Sequence, residues 1–189
     1  MKIKIRRSAQ SDLESVYQLH TNCFSGSDQW YRSNIQHYLD NGILIEIKET
    51  NELIGILLQG SITPCNKKME MNTEYNEDIF DPVMETNTEY NEDIFDSVND
   101  RGKIFDPYQK YYGIVMICVH PKFRGKGLAK KLIEKHFDDN KDNIVCLNTR
   151  RSNINAYQLY KKMGYEHIGN IKNKYFLPSE DSIFMIKEE

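Results

Sequence analysis

Two short stretches hold the residues whose types and spacing could do chemistry. The first is Val119-His120-Pro121-Lys122-Phe123-Arg124-Gly125-Lys126-Gly127-Leu128-Ala129, with two glycines one residue apart between an apolar run and a lysine-rich one. Glycine adopts backbone conformations that other residues avoid, so such a pair can turn successive N–H groups toward a common point. At the start of a helix those N–H groups lack intrahelical partners and sit at the positive end of the dipole, which suits a phosphate or diphosphate. Arg124, Lys126 and Lys130 add mobile positive charge. The spacing is neither the GxxxxGK(S/T) phosphate loop nor the GxGxxG dinucleotide fingerprint. By itself it is also compatible with a plain solvated turn.

The second stretch runs from Asn153 through Tyr160 and closes with Lys161-Lys162-Met163-Gly164-Tyr165. Asn153 suits a helix N-cap. Tyr160 follows it by nearly two turns, so amide and phenol lie close to one helical face and can line one groove. The plainer reading of Tyr160 is a core tyrosine, because Leu159, Tyr160 and Met163 also form an apolar stripe.

Several elements must position these stretches. Lys2 to Arg6 alternates like a strand. Ser11 or Asp12 can cap a helix through Cys23, with Leu13, Val16, Tyr17 and Leu19 on its apolar side. A second helix is predicted from Gln29 to Leu39, and Ile43–Ile47 with Leu53–Leu58 read as a hairpin. Tyr111–Val119 is the most strand-like segment, and its continuous apolar character predicts burial on both faces. Then follow a helix over Gly127–Phe137, a strand over Ile144–Leu147, a helix over Ile154–Met163, and strands over Tyr165–Ile171 and Ser182–Lys187. The order is β-α-α-β-β, insertion, β-α-β-α-β-β, an α/β chain with helices packed on a mixed sheet.

The 189 residues, 39% apolar and 28% charged, suit one soluble globular domain over 1–189. The longest apolar run, Gly113 to Val119, is far short of the roughly 20 residues that span a bilayer. Met1 to Arg7 has no apolar signal-peptide core, so the expectation is a soluble cytoplasmic protein. Cys23, Cys65, Cys118 and Cys146 stand far apart with no CxxC pair. Reduced thiols and no metal are expected.

The net charge of −3 conceals an asymmetry. Residues 64–107 read as an inserted acidic loop in which Met69–Val83 is repeated as Met84–Val98, differing only at Met71/Thr86 and Pro82/Ser97. The two copies carry ten carboxylates and no lysine or arginine, so the rest of the chain stands at +7. Two units are too few for a stacked solenoid, so a duplication inside a tolerant surface loop is the reading. An acidic lid drawing a cationic substrate is the alternative.

Taken together, the two stretches resemble the Gcn5-related N-acetyltransferase (GNAT) family. The family pattern is a strand ending V-x-P, then (Q/R)-x-x-G-x-(G/A), a strand, and N-x-x-A-x-x-L-Y-x-x-x-G-(F/Y). Here it reads Val119-His120-Pro121, Lys122 to Gly127, and Asn153 through Tyr165, with Lys122 where Gln or Arg is usual. The resemblance implies a mixed, mostly antiparallel sheet with helices on both faces and the acidic insertion before the central strand. It implies acetyl-CoA as cosubstrate. The backbones of Ile117, Cys118 and Val119 would pair with the pantetheine arm, N–H groups from Arg124, Gly125, Lys126, Gly127, Leu128 and Ala129 would hold the diphosphate, and Asn153 would bond the pantetheine amide. Tyr160 would protonate or hydrogen-bond the departing thiolate.

An attacking amine must lose a proton, yet Tyr111–Val119 contains no carboxylate. Glu46, Tyr111, Tyr112 and His120 are the base candidates, and no activating partner is visible for Cys118 as a nucleophile. Cys23-Phe24 with Trp30-Tyr31, and the tail through Tyr175-Phe176, resemble the branch that acetylates protein N-termini, so Trp30, Tyr31, Tyr112 and Tyr175 are candidate acceptor contacts. Where some members of that branch hold a water with tyrosine and histidine, Gly113 and Asn148 stand here. A protein or peptide N-terminus is the leading acceptor and a polyamine or other small amine the alternative. A non-catalytic CoA-binding module is the reading from another class. No nucleic-acid or membrane partner is expected, and the oligomeric state is monomer or homodimer.

Overall fold

Alternating charge and isoleucine at the start of the chain make an edge strand, β1 (Ile3–Arg7), whose Lys4, Arg6 and Arg7 discourage further strand addition. In the computed structural model, residues 1–62, 111–176 and 179–188 are described; the acidic insertion and its duplicated 15-residue segment lie outside them. The remaining elements are α1 (Leu13–Cys23), α2 (Arg32–Leu39), β2 (Ile43–Ile47), β3 (Leu53–Ile62), β4 (Tyr111–Val119), α3 (Leu128–Asp139), β5 (Val145–Arg150), α4 (Ile154–Lys162), β6 (Glu166–Phe176) and β7 (Ser179–Lys187). Their order is the one the periodicity predicts.

The seven strands are hydrogen-bonded in the order β1-β2-β3-β4-β5-β7-β6. The pairs β1–β2, β2–β3, β5–β7 and β6–β7 are antiparallel. The fold is therefore mixed α/β on a mostly antiparallel sheet. The chain groups into two compact units: Met1–Gly60 with Ile114–Lys141, and Ser61–Gly113 with Asp142–Glu189. β4 is split between them.

In the first unit, β2 is an interior strand with Ile43, Leu44 and Ile45 fully buried. Side chains alternate along β3. Leu44, Ile56 and Leu58 pack with Val16 and Leu19 of α1 and Ile35, Tyr38 and Leu39 of α2. On the opposite face, a Cβ added at Gly55 would stand 3.5 Å from Leu132 of α3. Helices thus cover both faces of this unit's strands. Burying each large aliphatic side chain contributes roughly 1.5–3 kcal/mol, which is what holds α1 and α2 down.

Along β4, Ile114, Met116 and Cys118 are buried while Val115 and Ile117 are half-buried. The expected burial on both faces therefore holds only in part. The side chains alternate, and the face carrying Val115 and Ile117 stays partly open.

In the second unit, β7 is central to its partners: Asn148 of β5 stands opposite Phe184, and so does Gly169 of β6. Val145, Cys146, Leu147, Phe184, Met185 and Tyr165 form its buried centre. Among the described residues no helix is long and apolar enough to cross a membrane.

Candidate functional site

The bend after β4 is built by backbone chemistry. His120 N–H donates to Ile54 O at 2.9 Å, which anchors the strand's exit against β3. Pro121–Phe123 then make a single 3-10 turn, and Lys122 N–H donates to His120 Nδ1 at 3.3 Å. Arg124 folds back so that its Nε donates to Val119 O at 3.1 Å. Lys126 Nζ lies over the Phe123 ring, 5.2 Å from its centroid. Gly125 and Gly127 both take left-handed conformations, with φ of +76° and +73°. A Cβ on either would meet nothing within 4 Å, so the glycines answer to the sign of φ and not to crowding.

Gly127 is the N-cap residue of α3, with no side chain capping the helix. The first helical bond runs from Lys131 N–H to Gly127 O at 3.2 Å, so the N–H groups of Leu128, Ala129 and Lys130 precede the ladder. Leu128 is buried while Arg124, Gly125, Lys126 and Gly127 are exposed, which fixes the helix start and leaves the bend in solvent. Such a bend, with cationic Arg124, Lys126 and Lys130 around it, fits a diphosphate.

In the second unit, Asn153 does cap α4: its Oδ1 accepts from Ala156 N–H at 3.2 Å. The turn before it is fastened by Glu180, which accepts from Ser152 N–H and, at 2.9 Å, from Ser152 Oγ. Arg150 pairs with the same carboxylate at 3.5 Å. Tyr160 is buried, with its ring tilted at 62° to Tyr165 and the centroids 5.8 Å apart. Burial pushes the Tyr165 phenol far up, helped by Tyr160 and Cys146, so it stays neutral.

The acceptor candidates divide by unit. Trp30 is half-buried: its N–H donates to His20 Nε2 at 3.2 Å, and its ring packs beside Tyr38 at 5.9 Å. Tyr31 is 64% exposed and is the N-cap residue of α2. In the second unit Tyr112 N–H donates to Ile144 O at 3.2 Å, and Tyr175 of β6 stands opposite Glu180 of β7.

The base candidates are sorted just as plainly. Glu46 is buried and accepts from Arg6 Nη2 at 2.5 Å and Arg6 Nε at 2.9 Å, so it is a structural anion and not a free base. Arg6 binds Asp12 through both terminal nitrogens at 2.7 Å. These residues line one wall of a surface pocket of 420 Å³ that also holds Glu14, Glu52 and His120. Tyr111 is buried edge-on against Phe184, a core contact. One interaction is missed in the sequence. Half-buried Cys23 at the end of α1 packs against the buried cluster that includes Cys118 of β4. Ninety-odd positions separate the two cysteines, and only the long-range packing of α1 on β4 joins them.

A strand, a double-glycine bend and a helix start without a side-chain cap follow one another in an α/β domain. The chain belongs to the acetyltransferase (GNAT) family, whose sequence profile matches residues 13–165. It is 26% identical over 77 residues to the N-alpha-acetyltransferase RimI of Mycobacterium tuberculosis, covering 41% of this chain and 49% of that one. It is 28% identical over 78 residues to an uncharacterized protein of Mycobacterium leprae, covering 41% of this chain and 21% of that one. The match thus spans less than half the length of either relative. Arabidopsis thaliana NAA60, solved in complex with acetyl-CoA, has the same fold at a TM-score of 0.69, with 17% identity and 100% of both chains covered. The ribosomal-protein-S18-alanine N-acetyltransferase of Escherichia coli shares it at 0.66, with 14% identity and 98% and 93% covered.

Proposed function

We propose that the chain transfers the acetyl group of acetyl-CoA to a primary amine, with a protein or peptide N-terminus as acceptor. The observation that carries this is the pair of left-handed glycines opening α3, with open space around both. NAA60 bound to acetyl-CoA and RimI, an N-alpha-acetyltransferase, support the reading.

The chain's own groups then divide the work. N–H groups from Arg124 to Ala129 hold the diphosphate, and Arg124 and Lys126 screen its charge. The main-chain groups of Ile117, Cys118 and Val119 bind the pantetheine arm as an added strand. Asn153 spends one lone pair of Oδ1 on its cap, so its Nδ2 is the group that meets a pantetheine carbonyl. Acetyl-CoA supplies an activated carbonyl: the amine nitrogen bonds to that carbon, the carbon–sulfur bond breaks, Tyr160 gives its proton to the departing sulfur, and the proton the amine loses passes through solvent to restore the Tyr160 phenol. Orientation of two bound reactants supplies much of the rate. Glu46, paired with Arg6, is not the proton acceptor. Trp30, Tyr31, Tyr112 and Tyr175 serve the acceptor.

The acidic duplication favours a second reading, a polyamine as acceptor drawn by its charge. Thiol release from acetyl-CoA should be followed across N-terminal peptides and polyamines, with Tyr160→Phe alongside. Turnover on peptides that falls about 100-fold in Tyr160→Phe supports the proposal. Turnover on polyamines alone supports the second reading, and tight CoA binding without turnover on any amine makes the chain a binding module.

A further inference from the structure

Residues 24–31 connect α1 to α2 and carry Trp30 and Tyr31, the candidate acceptor contacts of the first unit. His20, in the last turn of α1, ties both ends of this connection. Its carbonyl accepts from Phe24 N–H at 3.0 Å, and its Nε2 accepts from Trp30 N–H at 3.2 Å. Between those anchors the chain makes one turn, Gly26–Asp28, closed by Gln29 N–H donating to Gly26 O at 3.2 Å. The His20 ring is fully buried against Phe24, with centroids 4.9 Å apart and planes inclined at 35°. A ring nitrogen that accepts an N–H bears no proton, so the neutral imidazole carries its proton on Nδ1. Burial holds the His20 pKa below its ordinary value, which keeps that acceptor in place at pH 7. The ladder of α2 opens with Ile35 N–H donating to Tyr31 O at 3.3 Å, so Trp30 N–H lies ahead of it. The indole that this bond places is half-buried beside Tyr38 and packs on the cluster containing Met116 and Cys118 of β4.

We propose that His20 is a positioning residue for acetyl transfer, its neutral imidazole holding the Trp30 backbone so that Trp30 and Tyr31 present one fixed wall to the acceptor. This rests on the reading of Trp30 and Tyr31 as acceptor contacts. Fully buried, the ring acts through Trp30 and not on the reacting atoms. A connection of eight residues that includes a left-handed glycine, Gly26 at φ +62°, has many conformations open to it. An acceptor that fits only one of them binds more weakly in proportion to the fraction of chains that hold it. Fastening the exit of the connection at Trp30 N–H removes most of that loss. A side chain that cannot accept leaves the N–H of a half-buried residue without its bond, which should weaken acceptor binding about 10-fold. The bend before α3 takes no part in this contact, so CoA affinity and the turnover of a bound pair should not follow. The effect therefore falls on the KM of the acceptor.

Trp30 is the chain's one tryptophan, so its fluorescence reports this wall alone. In the full wild-type chain, long-range proton–nitrogen spectra should find the neutral His20 ring protonated on Nδ1. His20→Ala should open the indole to acrylamide quenching. It should also raise about 10-fold the KM of an N-terminal peptide, or of a polyamine if that alone turns over, with kcat and CoA affinity unchanged. His20→Gln, whose Oε1 can replace the Nε2 acceptor, should restore most of both. A wild-type ring protonated on Nε2, a His20→Ala chain with wild-type quenching and KM, a loss of kcat at constant KM, or glutamine no better than alanine overturns the proposal. If His20→Ala does not fold, the wild-type spectra and His20→Gln still decide it. The spectra and the quenching need no turnover. A chain that acetylates no amine thus refutes the acetyl-transfer reading, while the anchoring of Trp30 stands or falls on those two measurements.

Discussion

Replacing Gly127 by alanine isolates the backbone at the bend. Gly127 has φ +73° and a Cβ there meets nothing within 4 Å, so the substitution introduces no clash. What remains is the left-handed penalty for an L-residue, about 1–2 kcal/mol. If the bend keeps its shape, the folded state of Gly127→Ala loses that amount and CoA affinity stays as it was. If the bend relaxes, stability recovers and the same free energy reappears as affinity weakened up to about 5–30-fold. Urea unfolding with and without saturating CoA separates the two. At saturation the ligand holds the bend in its bound shape, and the full 1–2 kcal/mol or so must appear as lost stability in either case. Gly127→Asn should recover part of it, because asparagine tolerates the left-handed region. A Gly127→Ala chain as stable as wild type in both conditions, with unchanged CoA affinity, refutes the reasoning.

Other outcomes follow from contacts elsewhere. Arg6→Ala leaves the buried Glu46 carboxylate with Lys4 Nζ, 4.0 Å away, as its remaining ion-pair partner among the described residues; because that lysine stays and Arg6 is 28% exposed, the cost should sit near the low end of the buried-pair range, about 3 kcal/mol by denaturant melts, and Glu46→Leu in the same chain should restore part of it. Asn153→Ala should lose about 1 kcal/mol of stability with the cap, while Asn153→Asp keeps the cap and weakens only CoA binding, read by calorimetry. His136 is buried on α3 with Nδ1 2.5 Å from Gln59 Oε1, and desolvation lowers its pKa to about 4. Between pH 6.5 and about 4 the unfolded chain therefore binds more protons than the folded one, and stability should fall with pH by about 3 kcal/mol across that window. The fall should be shallower in His136→Gln.

Periodicity made the fold legible where a segment's own residues decide its state. β4 runs Tyr111–Val119 as predicted, and α4 begins at Ile154 behind Asn153 as predicted. Edges set by partners were harder to read. β6 and β7 extend beyond their predicted ends because they pair with each other, Phe176 opposite Ser179. α2 starts at Arg32 and not at Gln29, because Gly26–Asp28 form their own turn and Tyr31 enters the helix extended. Asp12 reads as a cap by type, yet its carboxylate is taken by Arg6 and by Ala9 N–H. Glu46 reads as a base, and the same arginine claims it. The glycine bend could be recognised because glycine spacing is local information. The packing of Cys23 against the cluster that holds Cys118 could not, since nothing near either cysteine announces the other.

The bend's role is tested most directly by following backbone amide resonances while acetyl-CoA is added. The account predicts that the N–H signals of Arg124 through Lys130 move together and saturate with one dissociation constant, and that Gly127→Ala alters that constant or the chain's stability. Binding or turnover that leaves those amide signals where they began contradicts it.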